Sequence, residues 1–267
     1  MKKLLFLLLL VSSAAQAQEL FVFTEPASNM PSKSLGIRVT NNLMKRNAGS
    51  GYDYQLLPEL MWGVNKNLMI HTDAFASNRF NKFAAEGFGF YGKYRFFTSD
   101  KMYSHFRMAA FGRVSYNQSA IAQEEIETFG NNSGYEAGLI ATQLLHKVAL
   151  SSSLSYEKAL DNDKYKFPAQ QSDEAINYSL SFGKLMLPKE YVDYNQTNVN
   201  LMVEFLGQAL KDNGRSFLDV APALQFIVNS QARIDIGYRK QLYSSMQRAS
   251  KEGFLLRFEY LIFNVLK

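Results

Sequence analysis

Alternation of apolar and polar residues with a period of two constrains this chain more than any other feature. It begins at Ser34 and continues through most of the remaining sequence. Over residues 251–266, for example, Phe254 and Phe258 fall on one parity and Arg257 falls on the other. A period of two is the pattern of a β-strand whose two faces meet different environments, and it argues against amphipathic helices over these residues.

The alternation predicts twelve strands, most of them longer than the roughly five or six residues usual in soluble sheets. They cover approximately 34–46, 52–64, 68–77, 84–97, 102–118, 132–145, 148–158, 174–187, 195–208, 216–229, 232–243 and 251–266. A tilted strand needs roughly 9–11 residues to cross the hydrocarbon of a bilayer. The predicted lengths therefore fit strands that cross a membrane.

Short and long connections alternate along the chain. The tightest follow even-numbered strands, and they are residues 65–67, 99–101, 146–147 and 230–231. The longest follow odd-numbered strands, at 117–131 and 160–172. An even number of antiparallel strands with short turns at one end and longer loops at the other is the plan of outer-membrane barrels. We therefore predict an all-β fold, a transmembrane antiparallel up-and-down β-barrel of about 12 strands with short periplasmic turns and longer external loops.

The first residues have the features of a secretory signal peptide. Lys2 and Lys3 form a basic start, residues 4–11 are apolar, and Ala17 ends a small-residue cleavage site. The predicted organisation is a signal peptide at 1–17, a periplasmic N-terminal segment at 18–33 and the barrel at 34–267. Two interpretations of the N-terminal segment stay open, a partial plug in the periplasmic mouth and a flexible tether.

Composition agrees with an exported barrel and excludes other classes. Aromatic residues make up 14% of the chain, and many of its 21 Phe and 15 Tyr fall near predicted strand ends, where membrane barrels carry aromatic girdles. Cysteine is absent, so there is no disulfide framework. Without Lys2 and Lys3 the chain has 27 basic and 24 acidic residues, a near balance that argues against nucleic-acid binding. A soluble exported β-protein remains the alternative.

The polar parity of the strands carries charges of both signs, which suit a wet or salt-bridged lumen. The predicted lumen-facing residues are Arg38, Glu59, Asp73, Lys93, Arg95, His105, Arg107, Arg113, Glu136, Glu204, Asp219, Arg233, Asp235, Arg239, Arg257 and Glu259. Their near balance favours cross-strand salt bridges that constrict or close the lumen. A path on which the basic members contact a solute is the other interpretation.

No motif of nucleotide binding, metal binding or hydrolysis is present in the sequence in the context that its function requires. Residues 87–92 match G-x-G-x-x-G, but that fingerprint requires a following helix, whereas here the alternation of a strand continues. His71 and His105 lie on distant strands, and His146 falls in a turn, so no metal-ligand spacing is present. The sequence lacks G-x-S-x-G. We expect no catalytic residues, no metal, no cofactor and no enzymatic activity.

The mature chain resembles the small outer-membrane β-barrels of Gram-negative bacteria. More narrowly, the stretches "FVFTEPASNMPSKSLGIRVTN", "LLPELMWGVNKNLMIHTDAF" and "NVNLMVEFLGQ" look like barrels akin to transporters associated with phenol meta-cleavage pathways. The resemblance implies residence in the outer membrane, with the lipid bilayer and the barrel-assembly machinery as partners.

For function, the resemblance and the lumen charges together predict a porin-like protein, a passive channel or transporter for a small solute. A structural or partner-binding barrel with a closed, salt-bridged lumen is the first alternative. An outer-membrane lipid-modifying enzyme is the second alternative.

Overall fold

Twelve antiparallel strands form one closed sheet in the computed structural model, which describes residues 21–47, 50–80, 82–190 and 196–265. The predicted signal peptide and its cleavage after Ala17 lie outside these residues. The strands are β1 Ser34–Lys45, β2 Tyr52–Gly63, β3 Leu68–Ser77, β4 Ala84–Lys101, β5 Ser104–Asn117, β6 Gly134–Leu145, β7 Val148–Ala159, β8 Glu174–Leu187, β9 Asn198–Leu210, β10 Ser216–Val228, β11 Ala232–Ser244 and β12 Glu252–Ile262.

Each strand pairs with its neighbours in sequence, and β1 also pairs with β12 to close the barrel. At this seam Arg38 lies opposite Glu259. Closure leaves no strand edge with unpaired backbone groups, which is the condition for a sheet to cross a bilayer. The predicted all-β, twelve-stranded antiparallel barrel is confirmed.

The two ends of the barrel differ in their connections. At the short-turn end, β4 continues past the predicted turn at 99–101, and Lys101 pairs with Ser104 across a turn at residues 102–103. A register shift between Arg95 and Phe97 accompanies this extension. At the opposite, loop end, residues 118–133 and 160–173 form the longest connections, as the alternation in connection length predicts.

Large apolar side chains cover the outside of the barrel. Phe88 and Leu154, for example, expose 52% and 60% of their surface, although both lie in the middle of long strands. The G-x-G-x-x-G stretch lies inside β4, with Phe88 and Phe90 outside and Gly89 inside. An exposed apolar surface of this extent is rare on soluble monomers and matches the lipid-facing band of a membrane barrel. Among the described residues, no helix is long and apolar enough to cross a membrane.

The residues that precede β1 fill part of the barrel interior. Phe21 and Val22 are fully buried and pack against Met202 and Leu255 of the wall. Further along the same segment, Met30 packs with Met61 and Met69. Residues 21–33, here called the luminal segment, therefore lie inside the barrel and take part in its core.

Candidate functional site

A single carboxylate fixes the start of the luminal segment. Glu204 of β9 has no exposed surface, and its Oε1 accepts hydrogen bonds from the backbone N–H groups of Val22 and Phe23, each at 2.8 Å. Its Oε2 accepts from the backbone N–H of Thr24 at 2.9 Å and from the Thr24 hydroxyl at 2.7 Å. Hydrogen bonds to a charged acceptor are stronger than those between neutral groups, and here they offset the free-energy cost of burying the carboxylate.

Basic residues of the wall hold the rest of the luminal segment. Lys93 Nζ donates to the carbonyl oxygens of Pro26 and Ser28, at 2.6 and 2.9 Å. Arg38 Nη1 donates to the carboxylate of Glu25 at 2.7 Å. The segment's carbonyls and the carboxylate of Glu25 therefore bind buried cations of the barrel wall.

Backbone contacts show how tightly the luminal segment is seated. Arg257 Nη1 donates to the carbonyl of Val22 at 2.6 Å, and the N–H of Ala27 donates to the Thr142 hydroxyl at 2.9 Å. At Gly63 a Cβ would lie 2.1 Å from the carbonyl oxygen of Pro31, so only glycine permits this approach.

A salt-bridge network joins the wall at the seam. Arg38 Nε lies 2.8 Å from Glu259 Oε2, and Arg38 Nη1 lies 3.5 Å from Glu59 Oε2. Arg233 lies 3.2 Å from Glu259 and 3.0 Å from Asp235. Arg38 thus pairs with carboxylates on both neighbouring strands, and Arg233 pairs across to β12 and within β11.

Residues 118–133, the inner loop, enter the lumen from the loop end. Gln208 of β9 accepts from the N–H of Ile126 at 3.0 Å and donates to its carbonyl at 2.7 Å. Glu157 of β7 accepts from the N–H of Thr128 at 2.7 Å. These bonds anchor a loop backbone that has no strand partner of its own in this region.

Two arginines, Arg248 and Arg239, lie on the other side of the inner loop. Arg248, in the connection between β11 and β12, donates to Asp219 at 2.8 and 2.9 Å and lies 2.8 Å from Glu125 of the inner loop. Arg239 donates to the same Asp219 at 2.6 Å. The guanidinium of Arg248 also lies 3.4 Å from the ring centroid of Phe217.

Between the luminal segment and the inner loop lies a cavity of about 310 Å³. Its aromatic lining residues are Phe23, Tyr91, Phe111, Phe129, Tyr178, Phe217 and Phe254. Its charged lining residues include Arg113, Arg239, Glu127, Glu136 and Glu157. Aromatic surface combined with a few placed charges is the usual character of a small-molecule site.

Arg113 is the best-placed cation of this cavity. Its Nη1 donates to Asp73 at 2.8 Å, and its guanidinium lies 5.1 Å from the Tyr91 ring and 4.3 Å from the Phe129 ring. Contacts from both a wall strand and the inner loop fix its orientation. A planar guanidinium between two rings can offer its remaining N–H groups to a carboxylate or a phenolic oxygen.

The predicted lumen-facing residues divide into four groups. Those at the seam are Arg38, Glu59, Arg233, Asp235, Arg257 and Glu259; those at the cavity or its rim are Asp73, Arg113, Glu136, Asp219 and Arg239. Glu204 and Lys93 hold the luminal segment. Those near the short turns are Arg95, His105 and Arg107, where Arg95 donates to the Lys66 carbonyl and His105 pairs with Asp100.

Several residues of the site are not among the predicted ones. Glu157 shares the parity of Ser151 and Ser155, so the alternation could have identified it. Glu25 and Arg248 lie in segments without periodicity, and no sequence signal indicates their partners.

No protein-family model matches this chain, and no curated protein matches its sequence. Its fold is similar to solved outer-membrane barrels. OmpF of Salmonella typhi has 6% identity and a TM-score of 0.37, covering 86% of this chain and 96% of that one. OprD of Pseudomonas aeruginosa has 9% identity and a TM-score of 0.37, covering 91% and 99%. At these scores the barrel assignment rests on the strand pairings of this chain itself.

Proposed function

We propose that this chain is a Gram-negative outer-membrane barrel that acts as a gated channel for a small solute. The observation that carries the proposal is the cavity between the luminal segment and the inner loop. An internal chamber that carries charged groups, inside a barrel with an apolar exterior, is what a transmembrane passage requires. Folding into the bilayer by the barrel-assembly machinery is part of this proposal.

The luminal segment supplies the gate. It is held by side chains, through Glu204, Lys93 and Arg38, and not by strand pairing, so it can leave without breaking the barrel wall. The wall retains its own cross-strand pairs, such as Arg233 with Glu259. Opening would therefore expose the cavity to the short-turn end.

The lining favours an aromatic solute that carries an acidic group. Phe129, Tyr91 and Phe217 offer ring faces, and Arg113 and Arg239 offer guanidinium groups. The narrower resemblance, to barrels akin to phenol meta-cleavage transporters, makes simple aromatic acids the first solutes to test. The cavity volume is near the lower end of the roughly 300–1,000 Å³ usual for ligand pockets.

Planar-bilayer recording tests this function. The mature chain and a form lacking residues 18–31 would be refolded and inserted separately. We expect low conductance from the mature chain and a larger, steady conductance from the truncated one, reduced by an aromatic acid such as benzoate. Absence of conductance from both forms, with heat-modifiable gel migration showing intact barrels, would exclude a channel.

A structural barrel with a closed lumen is the second candidate, and one observation favours it. The seam charges bond to each other or to the luminal segment, so few of them face open space. In that case the truncated form would stay closed, because the salt bridges themselves would block the lumen. We propose a non-enzymatic function under both candidates.

A further inference from the structure

Three potential metal ligands meet on the inner faces of β2 and β3. Glu59, His71 and Asp73 are 3%, 1% and 4% exposed. One ligand atom from each lies within 4.8 Å of the ligand atoms of the other two. The cluster adjoins the contacts that hold the luminal segment, because Arg38 Nη1 lies near both Glu59 and Glu25.

The register of the two strands makes this arrangement unusual. Glu59 lies directly opposite Asp73, so two inward carboxylates face each other across one strand pair. Like charges directly opposite each other destabilise a sheet, and burial increases the free-energy cost of their repulsion. His71 lies two residues from Asp73, on the same face of β3.

The surrounding arginines provide partners for only some of the ligand atoms in this cluster. Arg113 bonds to Asp73 Oδ2 at 2.8 Å, while Asp73 Oδ1 is buried without a hydrogen-bond partner. Arg38 lies 3.5 Å from Glu59 Oε2, while Glu59 Oε1 is buried and lacks a partner. His71 Nδ1 lies 3.3 Å from Glu59 Oε2, and its Nε2 is also buried without one.

From this geometry we propose that Glu59, His71 and Asp73 bind a divalent transition-metal ion, with zinc as the representative. An imidazole nitrogen with two carboxylate oxygens suits zinc, iron(II) or manganese(II) better than calcium or magnesium. Either ring nitrogen of a neutral histidine can coordinate a metal ion, and Nδ1 of His71 lies 3.3 Å from Glu59 Oε2. The ion adds positive charge between the facing carboxylates and can coordinate their unpartnered oxygens, and water completes its coordination.

An entry route leads from the cavity. Arg113 and Tyr91 both line the cavity. Arg113 bonds to Asp73, and the Tyr91 ring lies 5.0 Å from the His71 ring. Rotation of the Arg113 side chain would connect the cluster to the cavity. The lumen wall would then hold a metal ion directly beside the chamber proposed for solute.

Zinc titration of the untagged mature chain, refolded in detergent and freed of metal, tests the proposal. We expect saturable binding of a single zinc ion by calorimetry. His71→Gln should weaken the affinity at least about tenfold, the scale on which metal sites respond to altered ligation. His105→Gln is the matched control, since His105 also lies on the lumen parity but pairs with Asp100; its affinity should equal that of the wild type.

Unchanged affinity in His71→Gln, or no saturable binding by the wild type, would overturn the proposal. Asp73→Asn gives the same readout if His71→Gln fails to show heat-modifiable migration. X-ray absorption of the zinc-loaded wild type needs no variant. One imidazole with oxygen ligands supports the site, and a spectrum without imidazole refutes it. None of these results depends on channel activity.

Discussion

Arg38 of β1 and Glu259 of β12 lie opposite each other at the seam and are joined at 2.8 Å between Nε and Oε2. The strands at the two ends of the sheet are thus fastened by side chains as well as by backbone hydrogen bonds. Arg38 is 2% exposed and also contacts Glu25 of the luminal segment. One guanidinium therefore links barrel closure to the filling of the barrel.

We expect Arg38→Ala to destabilise the barrel by about 3–5 kcal/mol, because it leaves buried carboxylates without their cation. Urea unfolding followed by Trp62 fluorescence and by gel migration would measure the change. Lys45→Ala is the control, since Lys45 pairs with Glu252 across the same two strands but is 54% exposed. It should destabilise the barrel far less than Arg38→Ala does, because exposed ion pairs contribute little; equal losses in the two variants would contradict the role given to Arg38.

Glu204→Gln should release the luminal segment while leaving the barrel intact. The amide keeps the size of the side chain but loses the charge that strengthens the bonds from Val22, Phe23 and Thr24. We expect more frequent channel opening in planar bilayers. Glu252→Gln makes the same chemical change on β12, where Glu252 bonds to Lys45 and Tyr238, and should record like the wild type.

A steric change at Gly237 should displace the same segment without altering charge. A Cβ at this position would lie 2.7 Å from a ring carbon of Phe23. We expect Gly237→Val to expose the Phe23–Thr24 peptide bond to cleavage by chymotrypsin, with the site of the cut identified by mass spectrometry. Gly92→Val is the control, because a Cβ there meets nothing within 4 Å; a wild-type cleavage rate in Gly237→Val would show that Phe23 does not depend on this glycine.

The position of the inner loop should depend on pH through Glu127. Burial raises the pKa of this carboxyl from 4.5 to about 7; Arg239 lowers it, and Glu125 and Glu136 raise it. The folded loop thus favours the protonated form. Its stabilising contribution is full below about 4.5 and is lost as the pH rises through about 7.

Hydrogen exchange at the amides of Ile126 and Thr128, corrected for intrinsic rates, measures this dependence. Their protection should fall between pH 5 and pH 8, because both amides hold the loop to the wall. Glu127→Gln cannot ionise and should flatten the profile. A Gln variant with the wild-type slope would assign the effect to another group.

The barrel itself could be predicted from sequence because lipid and lumen impose opposite polarity on alternate residues. In β4, Phe88 and Phe90 point outward and Lys93 points inward, as the alternation predicts. The predicted turn at 99–101 is wrong, because a register shift beyond Arg95 interrupts the alternation and β4 continues to Lys101.

The contents of the lumen could not be predicted in the same way. The partners of Lys93 are carbonyls of Pro26 and Ser28, in a segment with no periodic pattern. Arg248 meets Asp219 and Glu125 through loop conformations that depend on the closed barrel around them. Parity determines which side chains face inward, and only the folded chain determines what they meet there.

The contacts of Val22 have a consequence for the order of assembly. The ribosome makes Val22 long before Glu204 of β9 and Arg257 of β12, yet both of these residues bind it. The earliest part of the described chain therefore stays without its final partners until almost the whole polypeptide has been synthesised. The segment that is made first is therefore among the last to reach its final contacts.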